Sequence, residues 1–149
     1  MLKKVILSLF ISVPLYSQSV FSPAEKPVQY QPIHVDETIK ADGLLDEPVW
    51  KNAQPLYLDY QVEPFQGNKA SFKSEVRVLY NHKFLYVSAI LHDTIGRNGF
   101  RAPNLKRDYE FVENDLFGIA LDGFQDKRNA LVLQSNAYGA QRDLLSFDD

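Results

Sequence analysis

From Ser71 to Tyr80 the chain changes character at every step. Phe72, Ser74, Val76, Val78 and Tyr80 fall on one face, and Lys73, Glu75, Arg77 and Leu79 on the other. That period of two is the signature of a β-strand, and it predicts a solvated Glu75. Asn81-His82-Lys83 reads as a turn. Phe84 to Leu91 is apolar on both faces, so the pattern predicts an antiparallel hairpin whose second strand is central in its sheet.

Shorter signals flank this hairpin. Ile33, Val35 and Ile39 suggest a first strand, ended by Ala41-Asp42-Gly43, and Leu56 to Tyr60 a second. Between them, Leu44 to Ala53 reads as a short helix with Asp46 as its N-cap and Pro48 in its first turn. Leu45 and Trp50 then take the places of a hydrophobic staple, which makes Trp50 a core anchor rather than an exposed aromatic platform. Glu63 to Asn68 is a loop. His92 to Asn114 is a long irregular stretch containing Gly96, Gly99 and Pro103, and loops of that length in a compact domain are often functional. Leu116–121 and Ala130–134 read as strands, with a turn at 122–126, and Asn136-Ala137-Tyr138-Gly139 turns into a last segment at 140–147. Many short strands separated by turn residues predict an all-β, antiparallel β-sandwich, jelly-roll-like, with one short helix. A sandwich closing on that last segment would expose a long edge strand, so more chain or a partner is expected beside it.

The N-terminus follows a different pattern. Lys3 and Lys4 precede an apolar run from Val5 to Tyr16, which is shorter than the roughly 20 residues of a spanning helix. A Ser17-Gln18-Ser19 step follows. This is the pattern of a secretion signal over residues 1–17, with 18–32 as a leader and 33–149 as the domain. No cysteine stands at the cleavage region, or anywhere in the chain. An exported domain without disulfides must rely on its core or on an oxygen-ligated metal, and thiolate chemistry is excluded. The formal net charge is −3, and losing Lys3 and Lys4 makes it −5. Nucleic acid and anionic membranes, which need clustered basic residues, are therefore poor partners.

Three groups of residues carry candidate chemistry. Arg107, Asp108 and Tyr109, with Phe111, lie in the long loop and mix a bidentate donor, a carboxylate and aromatic surface. That mixture suits a hydroxylated ligand and makes this the leading site candidate, although a solvated ion pair with aromatics tucked onto the sandwich is the commoner use of such residues. Asn136 and Gln141 flank the last turn and offer amide hydrogen bonds, which ordinary turn chemistry also uses. Asn114, Asp115, Asp122 and Asp126 offer oxygen ligands for a structural calcium, although aspartates in turns commonly serve local hydrogen bonds. His34, His82 and His92 are far apart and form no metal-binding motif. There is no nucleophile elbow and no phosphate loop, so the chain reads as non-enzymatic.

Five stretches in order carry a family resemblance: Ile39 to Trp50; Glu75-Val76-Arg77-Val78-Leu79-Tyr80; Leu85-Tyr86-Val87; Asn114 to Asp122; and Asn136 with Gly139, Gln141 and Asp143. Together they resemble the family 9 carbohydrate-binding modules, in the version that opens large envelope proteins of Bacteroidetes-type bacteria. The resemblance implies a β-sandwich that binds polysaccharide or oligosaccharide of xylan or glucan type, with calcium supporting the fold. It also implies a C-terminal outer-membrane barrel in the intact protein. The expected location is the periplasm, outer membrane or cell surface of a Gram-negative bacterium. Two alternatives accompany this reading. One is a structural domain of an outer-membrane protein without sugar binding. The other is an accessory module of a glycoside hydrolase whose catalytic domain lies outside this chain. The sequence departs from the family's pair of sugar-gripping tryptophans, since it has a single Trp.

Overall fold

A computed structural model describes residues 28–147; the signal segment and most of the leader lie outside the described residues. The chain forms two β-sheets joined by loops and single 3₁₀ turns, an all-β sandwich. The first sheet has four strands: β1 (Ile33–His34), β2 (Leu56–Tyr57), β3 (Ser74–Tyr80) and β4 (Leu85–Leu91). The second has three: β5 (Leu116–Leu121), β6 (Ala130–Asn136) and β7 (Gln141–Ser146).

The hairpin forms as the alternation predicts, with Ser74 opposite Leu91 and Tyr80 opposite Leu85. The central strand, however, is β3 and not β4. β4 covers one edge of β3, while β1 and β2 share the other, one at each end. The unbroken apolar run of β4 thus marks an edge, with Leu85 and Leu91 both 48% exposed. β1 also runs parallel to β3 (Ile33 beside Leu79, His34 beside Tyr80), the exception in an otherwise antiparallel arrangement. Between β1 and β2 on that edge, the Val78 N–H donates to the Tyr30 hydroxyl at 3.1 Å, and that hydroxyl donates to the Gln54 carbonyl at 2.6 Å. Tyr30 therefore belongs to the fold, although it lies in the segment read as leader.

The face of β3 that looks polar in sequence is covered too, as is Val76 on the opposite face. Leu79 is fully buried and packs with Val35, Ile39, Trp50 and Ala53, and Ile33, Leu45, Val49 and Tyr86 lie against this cluster. Further along the same face, Arg77 donates from Nε to the Ala53 carbonyl at 3.2 Å. Glu75, expected in solvent, is only 8% exposed. Arg77 and Lys73 both ion-pair with it, Lys73 at 2.9 Å, and their hydrogen bonds, that from Lys73 foremost, hold its carboxyl below the usual glutamate range. A carboxylate at this depth is tolerable because two cations meet it.

The expected helix is one 3₁₀ turn, Pro48–Lys51, with Glu47 rather than Asp46 at the N-cap position. The Glu47 carboxylate is drawn elsewhere: Oε1 accepts from the Lys40 N–H at 3.0 Å, and Oε2 from the Trp50 indole N–H at 3.1 Å. Trp50 is thus buried with its one polar atom satisfied, as a core tryptophan requires. Just before this turn, Gly43 takes φ of +81° while Asp42 Oδ1 accepts the Leu44 N–H, a reversal that suits glycine. The fold also brings together two histidines that are distant in sequence, His34 and His82, with ring centroids 5.3 Å apart.

The second sheet is a plain antiparallel meander. Cross-strand partners put Phe117, Ile119 and Leu121 on one face with Leu131, Leu133 and Leu145. None of these six is buried, and Leu145 remains 62% exposed.

Candidate functional site

The long loop docks on the second sheet through three backbone ties. Asp115, at the start of β5, accepts the Arg101 N–H at 2.8 Å with Oδ2 and returns its own N–H to the Arg101 carbonyl. The Asn104 carbonyl accepts from Asn136 Nδ2 at 2.8 Å, and the Asp108 N–H donates to the Gln141 carbonyl at 2.9 Å. Asp108 makes that last bond from a left-handed φ of 60°, a region aspartate enters more readily than most residues.

Asn114 and Asn136 form the buried polar centre of this half. Asn136 Nδ2 also donates to Asn114 Oδ1 at 3.2 Å, and Asn114 Nδ2 donates to the Glu110 carbonyl at 2.8 Å. Asn136 Oδ1 accepts the N–H groups of Tyr138 and Ala140. Every hydrogen-bonding atom of the Asn136 amide is occupied, so the residue shapes the β6–β7 turn and presents nothing to a ligand. Gly139 completes that turn at φ +81°, donating its N–H to the Asn136 carbonyl.

The loop residues singled out from sequence divide into exposed and buried. Arg107 is 60% exposed and spans Asp143 of β7 and Asp108, the latter at 3.6 Å. Tyr109 points inward, 5% exposed, with its hydroxyl unpartnered. Burial raises its pKa, so the phenol stays neutral. Phe111 is exposed but carries the Arg142 guanidinium over its ring at 5.3 Å, and Arg142 Nη1 donates to Gln134 Oε1 at 3.0 Å. Gln141 lends its carbonyl to Asp108 and keeps its side chain at the surface. Arg107, Asp108 and Gln141 therefore do meet, with Asp143 as a fourth member.

The oxygen ligands proposed for calcium do not converge. Asn114 and Asp115 precede β5, whereas Asp122 follows it, a separation of roughly 20 Å along a strand. Asp122 accepts the N–H groups of Asp126 and Lys127. Asp126 accepts those of Arg128 and Asn129 and the Asn129 side-chain amide, and these bonds, with that from the Asn129 side chain largest, depress its pKa. These aspartates close turns. No cluster of three or more histidine or carboxylate side chains able to hold a metal occurs among the described residues, and Asn114, Asp115, Asp122 and Asp126 do not form one oxygen-ligand set.

The loop and the β6–β7 turn also frame an open groove of about 440 Å³, lined by Phe100, Arg101, Ala102, Pro103, Glu113 and Tyr138. Phe100 is 40% and Tyr138 65% exposed. The side chains of Arg101 and Glu113 are at the surface and are not used in the hydrogen bonds and ion pairs that fix the loop. Exposed aromatic surface with one uncommitted cation and one uncommitted carboxylate can take the C–H face of a sugar ring and hydrogen-bond its hydroxyls. Sequence reasoning passed over these residues. The available signal was Tyr138, a large aromatic inside a turn that needs only small and polar residues.

A two-sheet β-sandwich with an open aromatic and polar groove at its loops is the layout of a binding module, and the family of the chain specifies the kind. The chain belongs to the carbohydrate family 9 binding domain-like family, whose model matches residues 41–141, about two thirds of the sequence. That type of module is non-catalytic and binds carbohydrate. No curated protein and no solved structure matches the chain.

Proposed function

We propose that this chain is the glycan-binding head of an exported bacterial envelope protein, taking a xylan- or glucan-type chain in the groove of Phe100, Arg101, Glu113 and Tyr138. The observation that carries this reading is that the groove lies within the family-matched segment and joins exposed aromatics to uncommitted polar side chains. Export rests on the Lys3-Lys4 start and the short apolar run behind it. The module works by adhesion, and any hydrolysis belongs to other domains or proteins.

Titration calorimetry with xylohexaose and cellohexaose tests the assignment. Binding to at least one is expected, with tenfold or greater weakening in a Tyr138→Ala, Arg101→Ala variant that keeps the wild-type thermal midpoint. An absence of heat across a broad glycan panel overturns it.

One observation favours a second reading. The single tryptophan, the best stacking surface the chain owns, is committed to the core. A sandwich that serves as a structural spacer on an outer-membrane barrel would look the same at Trp50. It would show no glycan response, and the groove variant would alter assembly of the full protein instead.

A further inference from the structure

The first sheet carries a second groove far along the chain from the first. From the end of β2, residues 57–60 run beside 69–75: Tyr60 bridges Lys69, and the Ala70 N–H donates to the Asp59 carbonyl at 2.7 Å. Gln61 straps the base of the connecting loop by donating from Nε2 to the Lys69 carbonyl at 2.8 Å. The resulting cleft, about 350 Å³, is lined by Asp59, Tyr60, Lys69, Ser71, Phe72 and Lys73.

Two of its lining residues are exposed aromatics, Tyr60 at 65% and Phe72 at 45%. Isolated exposed apolar side chains need no explanation, but two aromatics lining one cleft offer a contact surface. The charges narrow the choice of ligand. Lys73 is committed, ion-paired with Glu75 at 2.9 Å and lying over the Tyr57 ring at 4.9 Å. That leaves Lys69 and Asp59, one cation and one carboxylate, to meet a ligand. A balanced pair gives no net field to attract a phosphate or a uronate, yet offers both a donor and an acceptor for hydroxyls.

We infer that the Asp59–Lys73 arm is a second glycan contact, taking a neutral, hydroxyl-rich pyranoside chain against Tyr60 and Phe72. The inference rests on the carbohydrate-binding reading of the chain but not on the loop groove described above. It gives the module a second contact, so that it can touch a polymer at two places.

Backbone amide NMR on the full chain tests it, with cellohexaose, xylohexaose and polygalacturonate as probes. A neutral hexasaccharide should shift amides in 59–73, polygalacturonate should leave them in place, and Tyr60→Ala, Phe72→Ala should abolish those shifts. The same variant should bind the neutral polymer at least fivefold more weakly while keeping the shifts around 100–138. Shifts confined to 100–138, or unchanged polymer binding by the variant, overturn the second contact and leave the first groove standing. A wild-type chain that responds to no glycan overturns both. Glycan-independent self-association that the variant reverses overturns it in favour of a protein partner.

Discussion

The two sheets are held by different means. The first is closed over an apolar cluster: Leu79 has no exposed surface, and Trp50, Ile39, Val35 and Ala53 pack around it. The second has no apolar core of that kind among its described residues. Its buried residues are a pair of asparagines together with Tyr109 and Ala140, and its strands leave Leu131, Leu133 and Leu145 partly in solvent. Apolar packing is non-directional and tolerates small adjustments, whereas an amide pair fixes geometry through directed bonds. The first half is accordingly a scaffold. The second holds a long loop in one shape, and that is what a recognition surface needs.

Breaking the apolar half should cost the most. Trp50→Ala should destabilise the chain by about 3–5 kcal/mol, through the cavity and the loss of the indole bond to Glu47. Denaturant unfolding measures this, and a loss below about 1 kcal/mol would deny Trp50 its place as the core anchor. Asn136→Ala should cost less, about 1–3 kcal/mol, because it strands the Asn114 Oδ1 and the Tyr138 and Ala140 N–H groups. Its distinguishing effect is local. Hydrogen exchange should quicken at residues 101–115 and 136–141 while β3 and β4 stay protected, and uniform acceleration would mean the halves are not separately held.

The smallest effect is electrostatic. The Glu75 pKa is lowered in the folded chain by the bonds from Lys73 and Arg77. Its stabilisation is therefore present above the ordinary carboxylate range and drains away as pH falls below that range through the lowered folded-state pKa. The Lys73 pKa is raised by the same partner, so its share is complete at neutral pH and is lost only in strong alkali. Thermal midpoints between about pH 6 and pH 2 should fall less steeply for Glu75→Gln than for wild type. Parallel curves would place the acid sensitivity elsewhere, with Asp42 and Asp126, also lowered by their partners, as the other contributors.

Local patterns were legible in the sequence wherever the determining forces are local. The alternation at Ser71–Tyr80, the strands β5 and β6, and the Asn136–Gly139 turn all reflect side-chain period or turn chemistry, and the structure places them where the pattern does. The two-sheet class followed from their number. Errors arose where a distant segment decides the environment. Glu75 and Arg77 look solvent-facing until residues 35–53 cover that face of β3. β4 looks central because it is apolar throughout, but the other edge of β3 is claimed by β1 and β2 from upstream. The apposition of His34 and His82 and the scatter of Asn114, Asp115, Asp122 and Asp126 likewise depend on topology. Of the residues singled out from sequence, Arg107 and Asp108 meet at the surface beside Asp143 but do not line the groove. Tyr109 and Asn136 turned inward, and Arg101, Glu113 and Tyr138 are joined only by the way the loop folds back.

Tyr30 sets a boundary that the strand pattern does not reveal. Its hydroxyl supplies the one acceptor for the Val78 N–H on a stretch of β3 that neither β1 nor β2 reaches. A cut at or beyond Tyr30 leaves the main strand of the scaffold with an unanswered donor, so the tolerated N-terminus is fixed by one phenol rather than by where the first strand begins.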